Sequence, residues 1–466
     1  MKREVEVAII GAGSAGLYAL SQVKKKTDNF LLINEGHYGT TCARVGCMPS
    51  KSLIRIAEYY HDRLNFEQSG ILHSEVLEIS IPKVLQRVRQ HRDLLVKHNI
   101  AQSITSLGEK SLTGKATFLD SHTLQVGKDE IHAEKIIIAT GSTPVLNPAW
   151  ERFKDAILTT DTLFEQKDLP QSIGVLGLGV IGLELGQALS RLGIHITAVH
   201  SKPFIGGLSD PVINKVMIEL CQKEFDIWLG EGHAELEKVG DKIQITQGTR
   251  TVLVDKVLVS IGRKPNLKGL HLEKLGLTLD KRGMPNFDPQ TMQIEDLPIY
   301  LTGDVNADRP LLHEAADEGR IAGYNTVNAK RKFKRKVPLA IVFTDPNIAF
   351  IGKRYEEIHN DSTILTAKYD FSKQSRAMIM NINKGMAHLY IKKETGLIVG
   401  AQMAVPQGEH LAHHLAWAIE QGLSVYDMLT LPFYHPTLEE GLYALLMNAI
   451  KKLKIQKEGL LEISYK

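Results

Sequence analysis

Two cysteines, Cys42 and Cys47, stand five residues apart in Thr41-Cys42-Ala43-Arg44-Val45-Gly46-Cys47-Met48-Pro49-Ser50-Lys51. Thiols can pass electrons as a dithiol/disulfide couple, but only where the chain lets the two sulfurs meet. On a regular helix their α-carbons would lie roughly 8 to 9 Å apart, beyond the ~7 Å that a bridge tolerates. A bridge therefore requires irregular backbone, which Gly39, Gly46 and Pro49 are placed to supply. On spacing alone, two buried free thiols are the ordinary reading of such a pair.

Two glycine runs could hold phosphate. Gly11-Ala12-Gly13-Ser14-Ala15-Gly16 follows an apolar run and precedes Leu17, Leu20 and Val23 at helical spacing. In such a turn the first glycine permits the tight bend, the second lets a pyrophosphate approach the main chain, and the third lets helix pack on strand. The helix N-terminus adds the positive end of a dipole. Glu35, behind Leu31-Leu32-Ile33-Asn34, stands where a ribose hydroxyl would be bound. The same grammar returns at Gly177-Leu178-Gly179-Val180-Ile181-Gly182, but the following strand ends at His200, with Ser201 and Lys202 behind it and no acid. A carboxylate there would repel a 2′-phosphate, whereas a cation or hydroxyl would accommodate one. The first site should take an adenine dinucleotide with a free ribose, and the second a nicotinamide dinucleotide, NAD or NADP.

The elements that must position these groups are those of a large α/β protein. A length of 466 residues corresponds to about three domains, and 43% hydrophobic residues can fill their cores. Lys and Arg number 56 against 53 Asp and Glu, and the resulting +3 provides no broad basic field for nucleic acid or anionic lipid. Three cysteines cannot staple a secreted chain of this size. The start, Met1-Lys2-Arg3-Glu4, lacks the pattern of a signal peptide, and no apolar run reaches the roughly 20 residues of a membrane helix. A soluble cytoplasmic protein is expected. Ile136-Ile137-Ile138-Ala139-Thr140-Gly141 and Val257-Leu258-Val259-Ser260-Ile261-Gly262 end alike, as if one unit were inserted into another. The run Lys330-Arg331-Lys332-Phe333-Lys334-Arg335-Lys336 reads as a solvated linker. Beyond it, strands near 340–344, 349–352, 388–392 and 397–403 and helices near 411–421 and 439–452 make an α+β segment.

Together with Ala139-Thr140-Gly141, Ile261-Gly262-Arg263-Lys264-Pro265-Asn266, Thr302-Gly303-Asp304, Phe343-Thr344-Asp345-Pro346 and His435-Pro436-Thr437-Leu438-Glu439-Glu440, the cysteine motif resembles the class I pyridine nucleotide-disulphide oxidoreductases, dihydrolipoyl dehydrogenase and glutathione reductase among them. The resemblance runs in order along essentially the whole chain. It implies two Rossmann-like domains, one for FAD (1–145 and 267–335) and one for NAD(P) (146–266), and a C-terminal dimerisation domain (336–466). FAD would lie on Gly11, Gly13, Ser14, Ala15, Gly16, Gly39, Thr41, Ala116, Thr140, Gly141, Gly303 and Leu312, with Glu35 on its ribose and Asp304 near its ribityl or phosphate portion. The nicotinamide dinucleotide would lie on Gly177, Gly179, Val180, Ile181, Gly182, Glu184, His200 and Gly262. The resemblance makes Cys42–Cys47 a redox disulfide, with Cys47 facing the flavin and Cys42 exchanging with substrate. Lys51, paired with Glu184, would sit near flavin N5, where a cation stabilises negative charge. His435 would move the thiol proton and Glu440 orient its ring, reaching the disulfide of the other subunit of a homodimer. The His435-Pro436 bond is a candidate for cis geometry.

Two positions depart from the family motif: Thr40 replaces a second glycine, and Arg44 replaces an asparagine. Arg44 is expected either to lower a thiol pKa or to decorate the helix. No metal site is expected: His410, His413 and His414 share a helix face without a fixed carboxylate or thiol partner, and Cys221 reads as a small core residue. The function implied is electron transfer between NAD(P)(H), FAD, the cysteine pair and a small dithiol such as dihydrolipoamide, with a 2-oxo acid dehydrogenase complex as a candidate partner. The alternatives are an NADPH-dependent disulfide reductase of the glutathione reductase type, favoured by His200 and Lys202, and a non-catalytic flavin-bound structural subunit.

Overall fold

Val7, Ala8, Ile9 and Ile10 are buried, as an unbroken apolar run requires of a strand covered on both faces. They end strand β1 (Lys2–Ile10), which pairs in parallel with β2 (Phe30–Asn34) on one side and β3 (Asp129–Ile138) on the other. The computed structural model describes residues 1–97 and 102–453. Helix α1 (Ser14–Val23) connects β1 to β2, and α2 (Thr41–Arg44) and α3 (Cys47–Asp62) follow β2.

The chain leaves this sheet through Ser142–Pro144 and returns through Arg263–Pro265, and these two short strands pair antiparallel at the crossing point. Between them a second parallel sheet is built around β4 (Ser172–Leu176), flanked by β5 (His195–His200) and β6 (Lys256–Val259). Helix α4 (Val180–Arg191) joins β4 to β5. After the return, Ile299–Leu301 adds in parallel to β3, so a segment beyond the second sheet completes the first.

A five-stranded antiparallel sheet follows, in the order Leu339–Val342, Asn347–Gly352, Ile398–Val405, Met386–Lys392, Ile364–Asp370. Its last strand escaped the sequence reading because it is an edge strand in which only Ala367 is buried. Helices Gly408–Glu420 and Glu440–Ile450 agree with the expected pair; residues 454–466 of the segment lie outside the described residues. Asp210 ties this sheet to the second one: its carboxylate caps helix Pro211–Cys221 and accepts hydrogen bonds from buried His388 (2.5 Å) and Tyr390 (3.0 Å).

The basic run is a correction. It has no regular structure, yet it is not a free linker. Arg335 is largely buried against Glu314 (2.6 Å) and Glu318 (2.8 Å), while Lys334 reaches Glu420 and Lys336 reaches Asp317. Charge density alone did not reveal that acids on helix Leu312–Val327 lay opposite. Among the described residues, no helix is long and apolar enough to cross a membrane.

Helix Leu312–Val327 crosses α1 at backbone contact. A Cβ at Gly319 would overlap the carbonyl oxygen of Ala15, and one at Gly323 that of Ala19. Small residues four apart on both helices make this approach possible. Gly319→Val should therefore push α1 off its partner, costing about 3 kcal/mol or more by overpacking, read as a lowered Tm together with loss of whatever the α1 N-terminus binds.

Candidate active site

Helix α2 is only one turn long. Thr40 Oγ1 caps it by accepting the Ala43 N–H (3.1 Å), and Val45 (φ −132°, ψ 4°) and Gly46 (φ −119°, ψ −116°) break the helical path before α3 opens at Cys47. This is the irregular backbone that the spacing demanded. A Cβ at Gly46 would lie 3.1 Å from Cys42 Cα, and Gly39 (φ +117°) lies under the Arg44 side chain. Thr40, which departs from the family motif, is thus the residue that starts the turn.

Cys42 and Cys47 are free thiols in this structure, so the expected bridge stands open. Hydrogen bonding between the two side chains makes them unequal. Cys47 is drawn down to about 7, first by the hydrogen bond from Cys42, then, against desolvation, by the Lys51 ammonium and a main-chain N–H at the start of α3; Glu184 opposes. The same hydrogen bond, with burial behind it, pushes Cys42 far above the ordinary thiol range. Lys51 is the cation that acts on both sulfurs, whereas Arg44 lies along Gly39. Of the two roles expected for Arg44, decoration of the turn is the one the geometry supports.

Lys51 Nζ meets Glu184 Oε2 at 2.8 Å. Glu184 is 4% exposed on α4, and its other oxygen accepts the Phe343 N–H at 2.8 Å. Gln187 and Arg191, farther along the same buried face, continue the pattern. The Gln187 side chain exchanges hydrogen bonds with the Asp345 main chain (2.8 and 3.0 Å), and Arg191 meets the Asp345 carboxylate at 2.9 Å. No sequence motif identified these two. Their signal is polar residues at helical spacing inside an otherwise apolar helix.

The two glycine turns repeat one another in detail. A Cβ at Gly11 would overlap the Ala139 carbonyl, one at Gly177 would lie 2.6 Å from the Ser260 carbonyl oxygen, and one at Gly16 or Gly182 would strike the first glycine of its own turn. Gly13 and Gly179 differ: each has ordinary negative φ (−79° and −69°), and an added Cβ would meet nothing within 4 Å. The chain's own packing does not require glycine there, so the open space suits an external group drawn up to the main chain. Neither following helix has a side-chain cap, which leaves N–H groups pointing at that space. Both turns therefore fit a dinucleotide pyrophosphate. Ser14, Ala15, Val180 and Ile181 form the first turns of these helices.

Glu35 is exposed directly beyond β2. Its neighbour Asn34, which the sequence reading passed over, braces the turn by accepting the Ala12 N–H at 3.1 Å. In the second unit His200 ends β5, and burial, helped by Lys202, lowers its imidazole pKa, so it is neutral at pH 7. Exposed Lys202 is then the cation available at that edge.

Asp304 accepts from Ser142 Oγ (2.9 Å), and Arg263 donates to the same hydroxyl (2.8 Å). The preceding Gly303 N–H is held by Glu318 (2.7 Å), a fully buried carboxylate neutralised by Arg335. Thr140 and Asn266 exchange hydrogen bonds (2.8 and 3.0 Å) beside Gly141 (φ +68°), and Gly262 has φ +126° at the matching turn. The Ala116 side chain is buried in the core beneath the first sheet and Leu312 is partly exposed at its helix start, so Ala116 can offer a ligand only its main chain. Thr41 is exposed beside Cys42.

His435 is remote in character from this cluster: its side chain is 75% exposed, and among the described residues no hydrogen bond joins it to either cysteine of its own chain. Its Nδ1–H donates to Glu440 at 2.9 Å, which lowers the Glu440 pKa, while Glu440 also accepts the Thr437 N–H at 3.1 Å. That leaves Nε2 facing outward. The His435-Pro436 bond is cis, as expected; so is Asp345-Pro346, which was not. Cys221 is buried in the core, His410 and His413 are exposed, and Trp417 stacks edge-on with His413 and His414 at the surface.

Residues 5–319 match the family described as pyridine nucleotide-disulphide oxidoreductase, and residues 338–445 match its dimerisation domain. The chain belongs to that family. Its cofactors are FAD and a pyridine nucleotide, and it is a disulfide oxidoreductase that forms homodimers. The family, fold class and activity expected from the motifs are borne out. Dihydrolipoyl dehydrogenase of Haloferax volcanii is 29% identical over 463 residues (96% of each chain), and the human mitochondrial dihydrolipoyl dehydrogenase is 30% identical (94% of this chain, 89% of that protein). Among solved structures, the HOCl-induced flavoprotein disulfide reductase RclA of Escherichia coli superposes with a TM-score of 0.80 at 23% identity, covering 95% of this chain and 99% of that one. LpdA of Mycobacterium tuberculosis gives 0.81 at 23% identity, with the same coverage.

In anaerobically reduced protein carrying isotope-labelled cysteine, the Cβ resonance that Cys47→Ser removes should titrate with a midpoint of about 7, its thiolate forming as pH rises. The Cys42 resonance should stay that of a thiol through the same range, and Lys51→Met should raise the Cys47 midpoint by about one unit.

Proposed function

We propose that this family member oxidises a small dithiol, dihydrolipoamide first among candidates, and passes the electrons to NAD(P)⁺. The observation that carries the reading is the inequality of the two thiols beside the Lys51–Glu184 pair. In the oxidised state a substrate thiolate attacks Cys42 Sγ, and Cys47 departs as the thiolate, the better leaving group of the two. The second substrate thiol then displaces Cys42, which takes up a proton as it leaves. One substrate proton ends on Cys42, and the other is held at Nε2 of the partner subunit's His435, oriented by Glu440. The exposed His435 ring, with its Nδ1 side held by Glu440, supports service across a dimer. Bound FAD supplies the two-electron relay between this pair and the nicotinamide.

FAD would be held by the first glycine turn, Glu35 and Asp304, within residues 1–145 and 267–335. The nicotinamide dinucleotide would be held by the second turn within 146–266, and residues 336–466 would form the dimer. The full-length relatives named dihydrolipoyl dehydrogenase support the substrate choice and make a 2-oxo acid dehydrogenase complex the candidate partner. The missing acid after β5 and the exposed Lys202 favour a second reading, an NADPH-dependent disulfide reductase. A cytoplasmic location accords with the sparse cysteine content.

The purified protein should be yellow. Addition of one equivalent of reduced nicotinamide should give a long-wavelength absorption band that Cys47→Ser removes, and bound flavin absent altogether would sink the proposal. NADH against NADPH, and lipoamide against oxidised glutathione, compared in kcat/KM, decide between the two readings. Mixing Cys42→Ser with His435→Gln subunits, each inactive alone, should regenerate activity to roughly a quarter of wild type if random hybrids each carry one intact shared site; no recovery would place His435 within its own subunit's site.

A further inference from the structure

The Lys51 ammonium meets Glu184 and also lies over the ring of Phe343, whose centroid is 4.5 Å away. Phe343 also acts through its main chain, because its N–H occupies the Glu184 oxygen that Lys51 does not use. The Phe343–Asp345 stretch is itself held along α4 by Gln187 and Arg191, so the ring has little freedom to withdraw. We propose that Phe343 is a positioning residue of the redox site: its ring face holds the Lys51 ammonium beside the cysteine pair and so sets how readily Cys47 ionises. This inference rests on the reading of Cys42 and Cys47 as the redox pair.

The physical basis is the attraction of a cation to the negative face of an aromatic ring, strongest where water is thinned out. Lysine has a flexible four-carbon stem and many alternative rotamers. Glu184 alone can follow several of them with a 2.8 Å contact, whereas a carboxylate and a ring face together select one. The groups facing Cys47 are Cys42 from α2, Lys51 from its own helix and Glu184 from α4. Of these only Lys51 is a cation, so its placement is the adjustable part of the local field.

The test follows the Cys47 Cβ resonance of the reduced, flavin-loaded, isotope-labelled protein against pH. Phe343→Leu, which keeps an apolar side chain and loses the ring, should lower the thiolate-to-thiol ratio at neutral pH about two- to fivefold. A trifluorinated phenylalanine at 343, which keeps the shape and drains the ring face, should do the same, and it serves alone should the leucine variant fail to fold. Phe343→Tyr should titrate as wild type. In a Lys51→Met background neither ring substitution should add a further shift. The proposal is overturned if the fluorinated variant titrates as wild type, or if the shift persists without Lys51. A flavin-loaded wild-type protein that gives no long-wavelength band on addition of reduced nicotinamide would instead overturn the redox-pair reading beneath it.

Discussion

One buried ion pair organises the site. Glu184 is almost fully removed from water, and a carboxylate in that position is tolerable only when its charge is matched and its oxygens are hydrogen-bonded. Lys51 matches one oxygen and the Phe343 N–H satisfies the other. Those three residues belong to the helix that begins at Cys47, the helix that begins at the second glycine turn, and the start of the dimerisation segment. A single electrostatic requirement therefore brings the thiols, the helix after the second glycine turn and the antiparallel sheet to one point.

The interrupted topology serves the same end. The first sheet is finished by a strand from beyond the second one, and the Ser142–Pro144/Arg263–Pro265 crossing lies beside the Arg263–Ser142–Asp304 chain of hydrogen bonds. The place where the chain exits and re-enters is thus also where the Asp304 carboxylate is aligned. A simple tandem arrangement would have left Asp304 to be oriented by its own loop alone.

Much of this was legible in the sequence because it depends on local rules. Glycine at φ +110° with a carbonyl at its back is written into Gly11 and its helix, and the broken helix follows from the five-residue spacing of Cys42 and Cys47 with Gly46 between them. The Lys51–Glu184 pair, 133 positions apart, was legible only through family resemblance. What stayed hidden depends on long-range partners with no local signature. Gln187 and Arg191 on α4, Asn34 behind Ala12, and Glu318 beneath Gly303 look like ordinary polar residues until the fold sets main-chain groups against them. Arg335 was misread for the same reason, since a basic run reveals nothing about the acids it faces.

That run has one more property. It carries the chain from helix Leu312–Val327 to the antiparallel sheet, and its contacts differ in depth: Arg335 is buried against Glu314 and Glu318, while Lys334 and Lys336 grip Glu420 and Asp317 at the surface. Mobile ions screen the outer grips within a few ångströms but barely reach the inner one. The joint thus behaves as a graded clasp, slackening at its rim in brine while its inner rivet keeps the antiparallel sheet in register with the first one.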